Sequence, residues 1–316
     1  MASYLVRTLG FVALLSAIVV GQAAAQRKRY HHWEVPGFDF RKDGVLRTRA
    51  RAVRDTRARL LSAGQFSTLN QSISRARSGA SQSPSSTALT GVLNVPAILF
   101  RYKDSPAPPF PESSYDEVLF APTPTGAAAG RPYTLRSFYN EMSNGLFDIQ
   151  GNAYGYANLD SAEVWYVGGT SSTCAGRNPF GSTNCNGLFS NLAITRMQSG
   201  LREALIELDA QIDFSQYAVG GVVPLVLFLH QAMGAECGPP SAPENHLWAH
   251  RFLLNPPFQT QDGVAISDYI LQSAVGGASS CNASQIMPIG TVAHETGHGF
   301  GLPDLYDTSN ETEGIG

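Results

Sequence analysis

An α/β (α+β) fold, with helices packed against a mixed twisted sheet, is predicted by three features of the 316-residue chain. Two apolar runs, at 92–100 and 222–230, read as strands buried on both faces, which show no polar alternation. Between them Ile194, Met197, Leu201, Leu205 and Leu208 recur at helical spacing and lay one apolar face toward a sheet. Near the end of the chain, His294-Glu295-Thr296-Gly297-His298 puts two histidines four residues apart, neighbours on one face of a helix.

The elements follow in order. Residues 45–62 interleave Val45, Leu46, Val53, Leu60 and Leu61 with arginine and favour a helix with a thin apolar face. A serine-rich stretch, 78–86, has the composition of a flexible linker and marks a domain boundary. It divides a basic segment, 26–86, from a domain over 87–316. In the first strand, 92–100, Pro96 argues for an edge position or a bulge, and the polar, proline-rich run 103–111 ends it. A short helix is expected over 135–142, a strand over 146–150, a long helix over 190–208 and a second buried strand over 222–230. Pro288 and Gly290 punctuate the approach to the histidine helix, which makes Thr291 its expected N-cap. No internal repeat is present.

Composition bounds the class. With 43% hydrophobic residues the chain can bury a full core. The first 25 residues carry Arg7, an apolar run over 11–20 and then Ala23-Ala24-Ala25, the order of a secretory signal with cleavage expected after Ala25. The apolar run is short of the ~20 residues that a membrane anchor needs. A net charge of -3 hides an asymmetry. Residues 27–77 hold 13 Lys or Arg against 4 Asp or Glu, whereas from Ser78 onward the counts are 8 against 21. In an exported chain with a hydrolase motif, such a basic run reads as the pro-segment of a zymogen or as a solvated helix rather than as a nucleic-acid-binding arm.

Export permits disulfides, and Cys174, Cys185, Cys237 and Cys281 allow three pairings. Cys174 with Cys185 and Cys237 with Cys281 is the favoured set. No C-x-x-C spacing suggests a cysteine metal site.

The histidine run carries the chemistry. Imidazoles at i and i+4 reach one Zn²⁺, and the carboxylate of Glu295 lies where a general base would serve hydrolysis. Gly301 and Asp304 follow at offsets that a chance match to H-E-x-x-H would rarely supply, the chain holding only 7 histidines. His230, His246 and His250 read as packed or surface residues, since a catalytic zinc needs three protein groups and an open position. His250 is expected to line the cleft.

The stretch TVAHETGHGFGLPDLYD, beginning at Thr291, resembles the immune inhibitor A family of secreted bacterial metallopeptidases. VLNVPAILFRYKDS at Val92, SFYNEMSNGLFDIQG at Ser137 and HLWAHRF at His246 resemble the same family. The resemblance implies that the chain from Val92 to its end belongs to a peptidase domain of zincin fold, similar to the metzincins. It implies a sheet above an active-site helix and protein or peptide substrates; the short apolar run near the start is what argues against a stable membrane anchor. In the extended metzincin pattern H-E-x-x-H-x-x-G-x-x-H, glycine lets the chain turn so that the last residue reaches the metal. Here that residue is Asp304, so the resemblance implies His294, His298 and Asp304 as zinc ligands and Glu295 as general base, with Asp307 as the competing third ligand. Gln216-Tyr217-Ala218-Val219-Gly220-Gly221 stands where relatives carry an acidic run, which leaves calcium unsupported. The sequence stops twelve residues past Asp304 without a methionine turn, so a truncated domain is expected. A zincin-fold binding module without turnover is the competing reading.

Overall fold

The computed structural model describes residues 90–175, 177–178, 182–237, 245–276 and 281–300. The basic segment with its expected helix, the linker, and Gly301, Asp304 and Asp307 lie outside these residues.

The described elements run β1 (Gly91–Arg101), α1 (Glu112–Leu119), α2 (Leu135–Met142), β2 (Phe147–Asn158), α3 (Glu163–Val167), α4 (Ser172–Ala175), α5 (Asn191–Leu208), β3 (Val222–Val223), β4 (Val226–His230), β5 (His250–Gln259), β6 (Ala265–Ser273) and α6 (Ile289–Gly299). They build one mixed, six-stranded sheet. Across it β2, β1, β4 and β6 are parallel neighbours; β3 also pairs parallel to β6, and β5 pairs antiparallel to β6. This is the mixed sheet with flanking helices that the sequence predicts.

Both faces of the sheet are covered, which explains the unbroken apolar runs. Along β1, Ile98 and Phe100 enter one cluster, while Val95, Ala97 and Leu99 enter the other, as the two-residue period of a strand requires. Phe228 and Tyr269 join the first, with Met197, Leu201 and Leu205 of α5 packed on them. Leu227, Leu229 and Ile270 join the second, against Tyr115 and Leu119 of α1, Tyr139 of α2 and Val292 and Ala293 of α6. The helix with the two histidines therefore lies on the α1–α2 side of the sheet.

Three expectations are corrected. Pro96 does not put β1 at an edge, since β1 runs between β2 and β4. β4 pairs with it only from Ala97 onward, so Pro96 stands where one flank has no ladder partner and a missing N–H can be accommodated. The run 222–230 is two strands, broken at Pro224-Leu225, because proline cannot donate to the ladder. Both pieces still pair with β6. The strand foreseen over 146–150 extends to Asn158.

The disulfides are Cys174–Cys185 and Cys237–Cys281, with Cα atoms 5.2 and 5.3 Å apart. The second ties the chain after β4 to the segment that leads into α6.

Candidate metal centre

The approach to α6 is fixed before the helix begins. Met287 N–H donates to the Ala274 carbonyl at 3.1 Å, joining this segment to the end of β6. From the other side the Arg131 guanidinium donates to the carbonyls of Met287 and Ile286 at 2.6 and 3.0 Å. Pro288 then takes the N-cap position with extended backbone, and the helix starts at Ile289, earlier than a Thr291 cap would allow. These anchors hold the approach, and the first turn itself carries no side-chain cap hydrogen bond.

One and a half turns later the helix presents His294, Glu295 and His298. The two Nε2 atoms lie 3.1 Å apart, with ring planes at 79° and centroids 4.5 Å apart. The ligand-type atoms of all three residues fall within 4.8 Å of one another, the only such group among the described residues. His294 is exposed, whereas Glu295 and His298 are 8% exposed. Two imidazole nitrogens converging beside a carboxylate form a nitrogen-rich donor set that suits Zn²⁺ better than an oxygen-seeking cation.

Aromatic packing closes the far end. Phe300 caps the helix with its N–H on the Thr296 and Gly297 carbonyls, and its ring meets Tyr139 and Phe147 edge-on, each at 5.1 Å. The Tyr139 hydroxyl donates to the Ala293 carbonyl at 2.6 Å. Burial, and secondarily the charge of Glu295, push the Tyr139 pKa up, so the hydroxyl keeps its proton and remains a donor.

The remaining histidines lie elsewhere. His230 is fully buried at the end of β4, and neither ring nitrogen has a hydrogen-bond partner. Burial, then the nearby His246 and His250, depress its pKa to about 3. His250 was expected to line the cleft, but it is 7% exposed on β5. Its Nδ1 bonds the Trp248 carbonyl at 2.6 Å and its Nε2 the Tyr269 hydroxyl at 3.2 Å, so it is a packing residue. His246 Nδ1 lies 2.8 Å from a Glu163 carboxylate oxygen.

The model of the immune inhibitor A peptidase M6 catalytic domain matches residues 102–316. The chain belongs to this family of metallopeptidases. Among curated relatives, it is similar to immune inhibitor A of Bacillus thuringiensis subsp. alesti, 25% identical over 209 residues, covering 63% of this chain and 29% of that protein. It is also similar to the pre-pro-metalloprotease PrtV of Vibrio cholerae serotype O1, strain M66-2, 25% identical over 225 residues, or 62% of this chain and 21% of that protein. The chain thus spans less than a third of the length of the relatives it matches.

The residues that brace the helix, Arg131 and Tyr139, were not foreseen. Tyr139 falls in the stretch at Ser137 that carried part of the family resemblance, which was the one available signal. Arg131 had none.

Proposed function

We propose that this chain is a secreted zinc-dependent endopeptidase, with the peptidase domain over 87–316 preceded by a signal peptide and a basic pro-segment. The observation that carries the reading is the convergence of His294, Glu295 and His298 on one turn of α6, in a chain of the peptidase M6 family. His294, His298 and Asp304 would hold the zinc, which when bound polarises a scissile carbonyl and acidifies water. Glu295 acts as general base, taking the proton of the attacking water and delivering it to the leaving amine. Its buried position next to the exposed His294 keeps the carboxylate out of bulk solvent while leaving one side of the centre open to a peptide. The name of one relative, a pre-pro-metalloprotease, supports a protein substrate and a zymogen, and the signal-like first 25 residues support export.

Glu295→Gln tests the assignment. The variant is expected to retain stoichiometric zinc, because the ligands are intact, and to lose hydrolysis of a generic protein substrate by ~100-fold or more. Retained turnover removes Glu295 from the role of base.

A further inference from the structure

The strongest feature outside the three site residues is the hold that α2 has on α6. α2 is itself firmly placed. Thr134 and Ser137 close a capping box at its start, the Thr134 hydroxyl donates to the Ala121 carbonyl at 2.7 Å, and Arg136 grips both oxygens of Asp148 on β2 at 2.7 Å each. From this fixed helix Tyr139 reaches α6 at two points. Its hydroxyl donates to the carbonyl of Ala293, the peptide that joins directly to His294, and its ring packs edge-on against Phe300 at the helix end. One side chain therefore spans the turn that carries His294, Glu295 and His298.

We propose that Tyr139 is a positioning residue of the metal centre, acting through the Ala293 carbonyl to set the direction of His294 and Glu295. In an α-helix the carbonyl of residue 293 already receives the N–H of residue 297, so the tyrosine hydroxyl is a second donor whose loss leaves no unsatisfied acceptor. A purely structural brace would thus contribute through its ring. The hydroxyl does something else: it fixes the plane of the 293–294 peptide, and with it the Cα–Cβ vectors of the next two residues. Tyr139 is 8% exposed, so bulk water cannot readily take over the bond. Ligand orientation by a hydrogen-bonded outer shell is the same principle that fixes metal-bound histidine rings.

The inference rests on the proposed zinc centre, so its test reads the metal separately from turnover. The full chain and its Tyr139→Phe and Tyr139→Leu variants are compared by zinc affinity in competition with a chelator, by the visible spectrum of the Co²⁺-substituted protein, and by kcat and KM on a peptide. Tyr139→Phe keeps the ring and is expected to melt close to the parent, yet to bind zinc about tenfold more weakly with an altered cobalt spectrum. Its kcat is expected to fall about tenfold with KM within about twofold, the mark of displaced chemistry rather than lost substrate contact. Tyr139→Leu should repeat these losses and also lower the melting temperature; if it does not fold, Tyr139→Phe decides alone. Parental zinc affinity and cobalt spectrum in Tyr139→Phe overturn the proposal, whatever happens to melting, as does a parental kcat where the parent is active. A parent that binds zinc but hydrolyses nothing defeats the enzymatic reading instead, and the metal measurements still judge Tyr139.

Discussion

At the scale of single residues, the histidine pair was legible because its geometry is local. A separation of four residues fixes proximity on any helix, and the structure puts the two Nε2 atoms 3.1 Å apart. Tyr139 was illegible for the opposite reason. It meets Ala293 across 154 residues of chain, and nothing in the spacing of either segment announces the contact. The proposed third ligand rests on sequence spacing alone, in residues outside the described ones, so substitution must set Asp304 against Asp307. Asp304→Ala is expected to weaken zinc binding at least tenfold in chelator competition, roughly the scale seen even for outer-shell losses, while Asp307→Ala leaves it near parental. The reverse pattern transfers the ligand to Asp307.

At the scale of elements, amphipathic helices and buried strands could be read wherever one period dominates. α2 has the expected bounds, and α5 begins one residue inside them. β5 and β6 were missed. β5 carries Pro256-Pro257, which punctuate a sequence as a loop, yet the structure absorbs them where the register with β6 shifts between Leu253 and Phe258. The cysteine pairing was one of three that arithmetic allowed, and the contacts select it. The two bridges close loops of different length, 11 and 44 residues of separation, and chain entropy grows with the logarithm of that length. Replacing both cysteines of a bridge by serine should therefore cost about 3 kcal/mol for Cys174–Cys185 and about 4 kcal/mol for Cys237–Cys281, measured by denaturant titration. A larger loss at the shorter bridge would mean that local strain or contacts, rather than loop closure, set its contribution. The longer bridge also stands next to the approach to α6, so its removal should weaken zinc binding, which removal of the other should not.

At the scale of the molecule, stability should depend on pH through the buried histidines. In the fold, burial depresses His230 to about 3 and His250 to about 4, from an ordinary 6.5. The unfolded chain binds these protons near pH 6.5, and the folded protein resists them until far lower pH. Below about 6.5 the unfolded state holds more protons, so stability present at neutral pH is lost as the pH falls toward 4. Two depressions of this size act in the same direction and outweigh most single contacts. Several carboxylates work in the other direction. Burial raises Glu163, Asp116 and Asp209, so the fold takes up those protons more readily than the unfolded chain and gains some stability in acid. Hydrogen bonds from His246, the Ala153 N–H and the Gln261 N–H oppose these shifts at Glu163, Asp116 and Asp209 in turn. The histidines, with no such compensation at His230, should dominate between pH 6.5 and 4. The denaturant midpoint, followed through the near-ultraviolet signal of the buried aromatic residues, is expected to fall between pH 7.5 and 5. It should fall less in His230→Leu, which removes one of the two proton-binding differences. An equal fall in parent and variant would place the acid sensitivity outside this cluster.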